Sequence, residues 1–176
     1  EEKKMQARIG LVLSTMSAAL LGACATPASG PSASADLLAR SGSAVSGKVS
    51  FSEAGGKLRV EAQVAGLTPG EHGFHIHEVG DCSAPDASSA KGHFNPAGKA
   101  HGHHAGMERH GGDMPNLLAN AAGEARFSGE ISGLSLGGAT GVVGRSVVIH
   151  ADPDDYKSQP AGNSGKRIAC GVIVAD

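Results

Sequence analysis

The sequence has no tryptophan, one tyrosine and four phenylalanines, so a core built on large aromatic side chains is excluded. It has no stretch with the 3.6-residue apolar period of a convincing helix, which argues against a helical bundle. No run of lysine and arginine occurs beyond the first ten residues, and the formal net charge is only -2. Nothing in that balance asks for a nucleic-acid partner. Cysteine is scarce as well, at three residues. What is abundant is glycine, 27 residues, beside an ordinary 40% of hydrophobic residues carried mainly by Ala, Val, Leu and Ile. That mixture suits short strands joined by glycine-rich turns.

The N-terminus reads as an export signal. Lys3, Lys4 and Arg8 form a basic start, and residues 9–21 form an apolar run too short for a comfortable membrane span. The run ends in Leu21-Gly22-Ala23-Cys24, which resembles a bacterial lipobox and implies lipid attachment at Cys24. The expected division is therefore a signal peptide over residues 1–23, a lipid-attached flexible tether over 24–43, and a folded domain over 44–176. The tether expectation rests on its Ala, Ser and Pro content. With Cys24 assigned to lipid, Cys82 and Cys170 are left to pair in an oxidising compartment. Any membrane association would then run only through the lipid at Cys24.

Within residues 44–176 the pattern has a period of two. Val45, Gly47 and Val49 alternate with Ser46, Lys48 and Ser50; Leu58, Val60, Ala62 and Val64 alternate with Arg59, Glu61 and Gln63. Both runs predict half-buried antiparallel strands, with a turn at Glu53-Ala54-Gly55-Gly56. Further strands are expected over residues 123–131, 146–150 and 168–174. Two long segments, 78–118 and 151–166, lie between them, and loops of that length are usually functional or disordered. The expected class is all-β, an antiparallel Greek-key barrel or sandwich with two long functional loops.

The chemistry starts at Gly73-Phe74-His75-Ile76-His77. Side chains at i and i+2 of a strand leave the same face about 7 Å apart, so His75 and His77 project together and Phe74 and Ile76 point the other way. A same-face pair of imidazoles is half of a transition-metal site. Alone, the pair could equally be two ordinary histidines on a half-exposed strand. His93, His101, His110 and His150, with Asp113 three residues after His110, turn the balance towards metal.

These residues sit in motifs that resemble the copper/zinc superoxide dismutase family. The matching pieces are Gly73-Phe74-His75-Ile76-His77-Glu78, Gly92-His93-Phe94-Asn95-Pro96 and His110-Gly111-Gly112-Asp113-Met114-Pro115-Asn116. Gly144-Arg145-Ser146-Val147-Val148-Ile149-His150 and the segment from Gly162 to Val172 continue the series in family order. The resemblance implies copper held by His75, His77, His93 and His150, and zinc held by His93, His101, His110 and Asp113, with His93 shared as a bridge. It implies dismutation of the superoxide anion, one molecule oxidised to dioxygen and another reduced to hydrogen peroxide, with His93 also handling a proton. Arg167 would attract and orient the anion. Asp154 would link a copper histidine to a zinc histidine, with Asp152 and Asp155 as close competitors. His101 is favoured over His103 and His104 by family spacing, while His72 falls on the opposite strand parity and reads as a hydrogen-bonded structural residue. The segment after His150 departs from eukaryotic relatives, being shorter and carrying Tyr156-Lys157-Ser158-Gln159-Pro160. A periplasmic lipoprotein follows from the resemblance combined with the N-terminus, and a homodimer is an assembly it allows. Two other readings compete, a copper or zinc buffer without turnover and an adhesive lipoprotein binding zinc alone. A buffer has no use for Arg167, and six imidazoles with a carboxylate exceed one closed zinc shell.

Overall fold

The computed structural model describes residues 30–176, so the expected signal peptide and Cys24 lie outside the described residues. Ten strands follow in order: β1 (Ser32–Ala39), β2 (Ser46–Ala54), β3 (Lys57–Ala65), β4 (Gly70–His72), β5 (Phe74–His77), β6 (Leu117–Ala119), β7 (Ala125–Ile131), β8 (Ser146–His150), β9 (Arg167–Val172) and β10 (Val174–Ala175). The only helical turn among the described residues is a 3-10 turn at Ser88–Ala90. Hydrogen-bonded neighbours run β4-β6-β7-β3-β2-β1-β9-β8-β5, with β10 added to β1. Every strand pairing is antiparallel. The two ends of this path, β4 and β5, are joined by Gly73 alone, so the sheet curls into a nearly closed barrel. The pairings β3 with β7 and β1 with β9 are the long-range crossings of a Greek key.

The hairpin β2–β3 forms as its alternation predicts, and β3 alternates buried and exposed along its whole length. The expected tether needs correcting. Residues 32–39, read as flexible, form β1, which pairs with β2, β9 and β10. Ala33, Ala35 and Leu37 all point into the core. Their period of two is real, but two of the three are alanines, and a serine- and alanine-rich stretch hides it. The domain thus starts before residue 44.

The core is aliphatic with few aromatics. Phe51, Phe74, Leu37, Leu58, Ile76, Met114, Leu117, Ile149 and Ile173 are among its fully buried side chains, and Phe74 meets Phe127 edge-on with centroids 5.9 Å apart. A smaller cluster of Ala87, Ala90, Val148 and Cys170 lies under the Cys82–Cys170 disulfide.

Two strands are buried on both faces, and they carry the site. In β5, Phe74 and Ile76 enter the barrel core while His75 and His77 lie beneath the long loops, all four buried. β8 pairs with β5 and delivers His150 at its end, where the register with β9 is broken by an irregularity. The loop from Glu78 to Asn116 and the loop from Ala151 to Lys166 cover this outer face. Gly73 is required at the crossing, because a side chain there would meet Ser164 and the His75 ring.

Candidate metal centre

Strand periodicity puts His75 and His77 on one face, and the loops bring the remaining donors to them. His93 approaches through a bridge to His77, and Asp113 through a bridge to His75. The result is two quartets that share one imidazole: His75, His77, His93 and His150, then His93, His101, His110 and Asp113. Within each, one donor atom per residue lies within 4.8 Å of the others. All seven side chains are buried or nearly so.

Several donors are oriented by a partner on the far side of the ring. His75 Nε2 lies 2.8 Å from Asp154 Oδ2, and His101 Nε2 lies 3.0 Å from Asp154 Oδ1. A carboxylate accepts, so both Nε2 atoms carry the proton and both Nδ1 atoms present a lone pair. His77 Nδ1 donates to the Lys91 carbonyl at 2.9 Å, which leaves Nε2 free, 3.5 Å from Nε2 of His150. Among the described residues, three buried ring nitrogens have no hydrogen-bond partner: His75 Nδ1, His93 Nε2 and His101 Nδ1. Orphaned buried donors and acceptors are costly, so such a cluster asks for an occupant.

That occupant fits a cation. Oδ1 of Asp113 lies 2.8 Å from His93 Nδ1, 3.1 Å from His101 Nδ1 and 3.4 Å from His110 Nδ1. Three imidazole nitrogens converging on one carboxylate oxygen cannot all be satisfied by protons, but one cation satisfies all four atoms. Three imidazoles and a carboxylate suit zinc in a closed tetrahedral shell, and four imidazoles suit copper. The other Asp113 oxygen accepts from the backbone of Gly102 and His110, which fixes the carboxylate.

The electrostatics agree with neutral imidazole donors. Burial, reinforced by the neighbouring histidines, pushes His75 and His77 well below the usual imidazole range and lowers His93 too. Burial brings His150 down to about 3. For Asp113, burial works against ionisation, but the hydrogen bonds from His110 and His93 outweigh it and hold the carboxyl far below its ordinary range.

Arg167, at the start of β9, donates from Nη1 to the Ala87 carbonyl at 2.8 Å and is about half-buried. Its charge is close enough to act on both His77 and His150. Among the competing carboxylates, Asp154 is the one that links the quartets. Asp155 is exposed and bonds within its own turn, and Asp152 packs near Gly165. His72 is hydrogen-bonded outside the quartets, with Nδ1 2.8 Å from the His150 carbonyl and Nε2 2.8 Å from the Thr68 carbonyl and 3.3 Å from the Thr68 hydroxyl. His103 and His104 lie against each other with tilted rings and meet Tyr156 edge-on, outside the quartets.

Some positioning residues escaped the sequence reading. The Asn116 side chain exchanges hydrogen bonds with the Asp154 backbone, and Gln159 does the same with the backbone of His101. Asn116 closes the His110 motif and was findable there. Gln159 stands 58 residues from its partner and carried no signal.

An antiparallel barrel whose outer face buries two cation sites around one shared imidazole defines a binuclear metalloprotein. Comparison with known proteins makes that class specific. Residues 45–173 match the family model for copper/zinc superoxide dismutase. A copper-zinc superoxide dismutase of Deinococcus radiodurans is 44% identical over 167 residues, covering 88% of this chain and 90% of the relative. A second copper-zinc superoxide dismutase, from Aquifex aeolicus, is 43% identical and covers 80% and 85%. The crystal structure of the clock protein EA4 superposes with a TM-score of 0.75 at 39% identity, covering 81% of this chain and 93% of that one. The chain belongs to the copper/zinc superoxide dismutase family.

Proposed function

We propose that the protein converts superoxide to dioxygen and hydrogen peroxide, with His75, His77, His93 and His150 holding copper and His93, His101, His110 and Asp113 holding zinc. The observation that carries this reading is His93, whose Nε2 is an orphan facing the first quartet while its Nδ1 joins the second. Copper supplies a one-electron couple, so that two superoxide ions and two protons become one dioxygen and one hydrogen peroxide. The protein's own residues do the rest. His93 is the imidazole placed to hold or release a proton at Nε2. The guanidinium of Arg167 attracts and orients the anion, since a fixed cation at a recessed site raises encounter rates. Asp154 keeps His75 and His101 in the tautomers that ligation needs.

The decisive experiment loads the protein with one copper and one zinc and follows superoxide decay by stopped flow. Catalytic decay is expected, and His93→Ala should uncouple the copper EPR signal from zinc. Arg167→Ala should keep both metals while losing about tenfold in rate, within the range electrostatic steering supplies. Loaded protein that does not turn over would leave the buffer reading standing.

Export to the periplasm and a lipid at Cys24 belong to the same proposal. The Cys82–Cys170 disulfide supports an oxidising compartment, and the relatives from Deinococcus and Aquifex support a bacterial type. Mass spectrometry of the membrane fraction from a bacterial host should find Cys24 acylated. A free Cys24 would remove the anchor from the proposal.

A further inference from the structure

The connection between β1 and β2 touches both of the segments that hold Arg167. Arg40 donates from Nε and Nη2 to the Cys82 carbonyl, at 2.9 and 2.6 Å. Its backbone N–H donates to the Ile168 carbonyl at 2.8 Å. Ser41 donates from its backbone to the Pro85 carbonyl and from Oγ to the carbonyl of Arg167 itself, both at 2.8 Å. Ser43 Oγ donates to the Ile168 carbonyl. Ser41 does this with φ at 52°, in the left-handed region that a non-glycine residue occupies only at a cost.

These bonds fall on two segments. One is the loop from Cys82 to Ala87, whose last carbonyl receives the Arg167 guanidinium. The other is the backbone of Arg167 and Ile168, from which that guanidinium springs. Four residues of this connection, Arg40 to Ser43, thus set the spacing between the base of the Arg167 side chain and the acceptor that holds its tip. The disulfide fixes the Cys82 side chain to β9 but leaves the Cys82 carbonyl to be held by something else, and the fork of Arg40 holds it.

We infer that the connection from Arg40 to Ser43 is a strap that positions Arg167 for the anion, with Arg40 as its main positioning residue. This rests on the anion-orienting role of Arg167 proposed above. Arg40 does not touch the anion; it acts by aligning Arg167.

The test uses the copper- and zinc-loaded protein with azide as a small anionic probe of the copper site, read by its absorption band, beside superoxide decay. Arg40→Met keeps the length of the side chain and removes its donors. It should retain both metals and the disulfide, yet bind azide and decay superoxide about 3- to 10-fold less well, a modest share of what misplacing a reacting group can cost. Arg40→Lys, which can still donate to the Cys82 carbonyl, should recover part of the loss and guards against a folding defect in Arg40→Met. The double variant with Arg167→Ala should be no worse than Arg167→Ala alone, because the strap then has nothing to position. Unchanged azide affinity and rate in loaded, oxidised Arg40→Met would overturn the strap, as would losses that add to those of Arg167→Ala. If Arg167→Ala itself changes neither quantity, it is the role of Arg167 that fails.

Discussion

At the scale of the residue, the centre depends on atoms that do not touch a metal. Asp154 is the clearest, because each of its oxygens orients a histidine from a different quartet. Gly162 is what lets it sit there. A Cβ at Gly162 would fall on Asp154 Oδ1 and come within 2.9 Å of His101 Nε2, and the backbone has φ at +67°. Gly162→Ala should therefore lower affinity at both quartets by about 10- to 100-fold, the range seen when residues behind metal ligands are lost. Gly133→Ala is the control. Its φ is +78°, but a Cβ there meets nothing, so it tests backbone strain alone. Chelator competition should separate the two variants; equal effects would mean that strain, not Asp154, explains the loss.

At the scale of the element, β1 matters most for what the sequence conceals. Leu37 is 2% exposed and is the one large side chain that β1 sends into the core. Leu37→Ala should cost about 2–5 kcal/mol by chemical denaturation, because burial is lost and a cavity is left. A change within the range of surface substitutions, about 0.5 kcal/mol, would show that β1 is dispensable. β2 and β3 were legible because hydrophobic alternation specifies them, and β8 because its Val147-Val148-Ile149 run reads as a strand buried on both faces. β1 was not, because alanine marks both a tether and a tightly packed strand. β4 and β6, three residues each, are too short to show any period, and they form because β4 pairs with β6 and β6 with β7. The site was legible for a different reason. Its candidate donors are a rare residue type in recognisable contexts, so His75, His77, His93, His101, His110, Asp113 and His150, which the structure gathers into two quartets, could be named as candidates without coordinates. Gln159 and Arg40 could not, because each acts on a backbone carbonyl or amide, and backbone partners leave no trace in sequence.

At the scale of the whole molecule, the buried imidazoles of His75, His77 and His150 make the metal-free protein sensitive to acid. His75 and His77 are held well below the ordinary value of 6.5 by burial, and His150 lies at about 3. The unfolded chain therefore takes up these protons at a higher pH than the folded one. Stability is fully present above about 6.5 and declines as pH falls towards 3, by up to about 1.4 kcal/mol per pH unit for each such group. Urea midpoints of metal-free protein measured from pH 8 to 4.5 should fall, and a flat series would contradict neutral buried imidazoles. Among the described residues, no helix is long and apolar enough to cross a membrane.

The Cys82–Cys170 bond, spanning 88 residues, also rewrites distances along the chain. His77 and His150 are 73 residues apart in sequence. Across the sulfur bridge the route is only five residues from His77 to Cys82 and twenty from Cys170 back to His150. His93 and Asp113, by contrast, are 20 residues apart and gain no shortcut. In polymer terms the bridge shortens the search for the first quartet, proposed for copper, but not for the second, proposed for zinc. Opening it lengthens the first search about threefold, worth about 1 kcal/mol or a fivefold shift in the equilibrium for assembling that quartet from disordered chain. Reduction should thus handicap acquisition of copper during folding while leaving acquisition of zinc nearly unchanged.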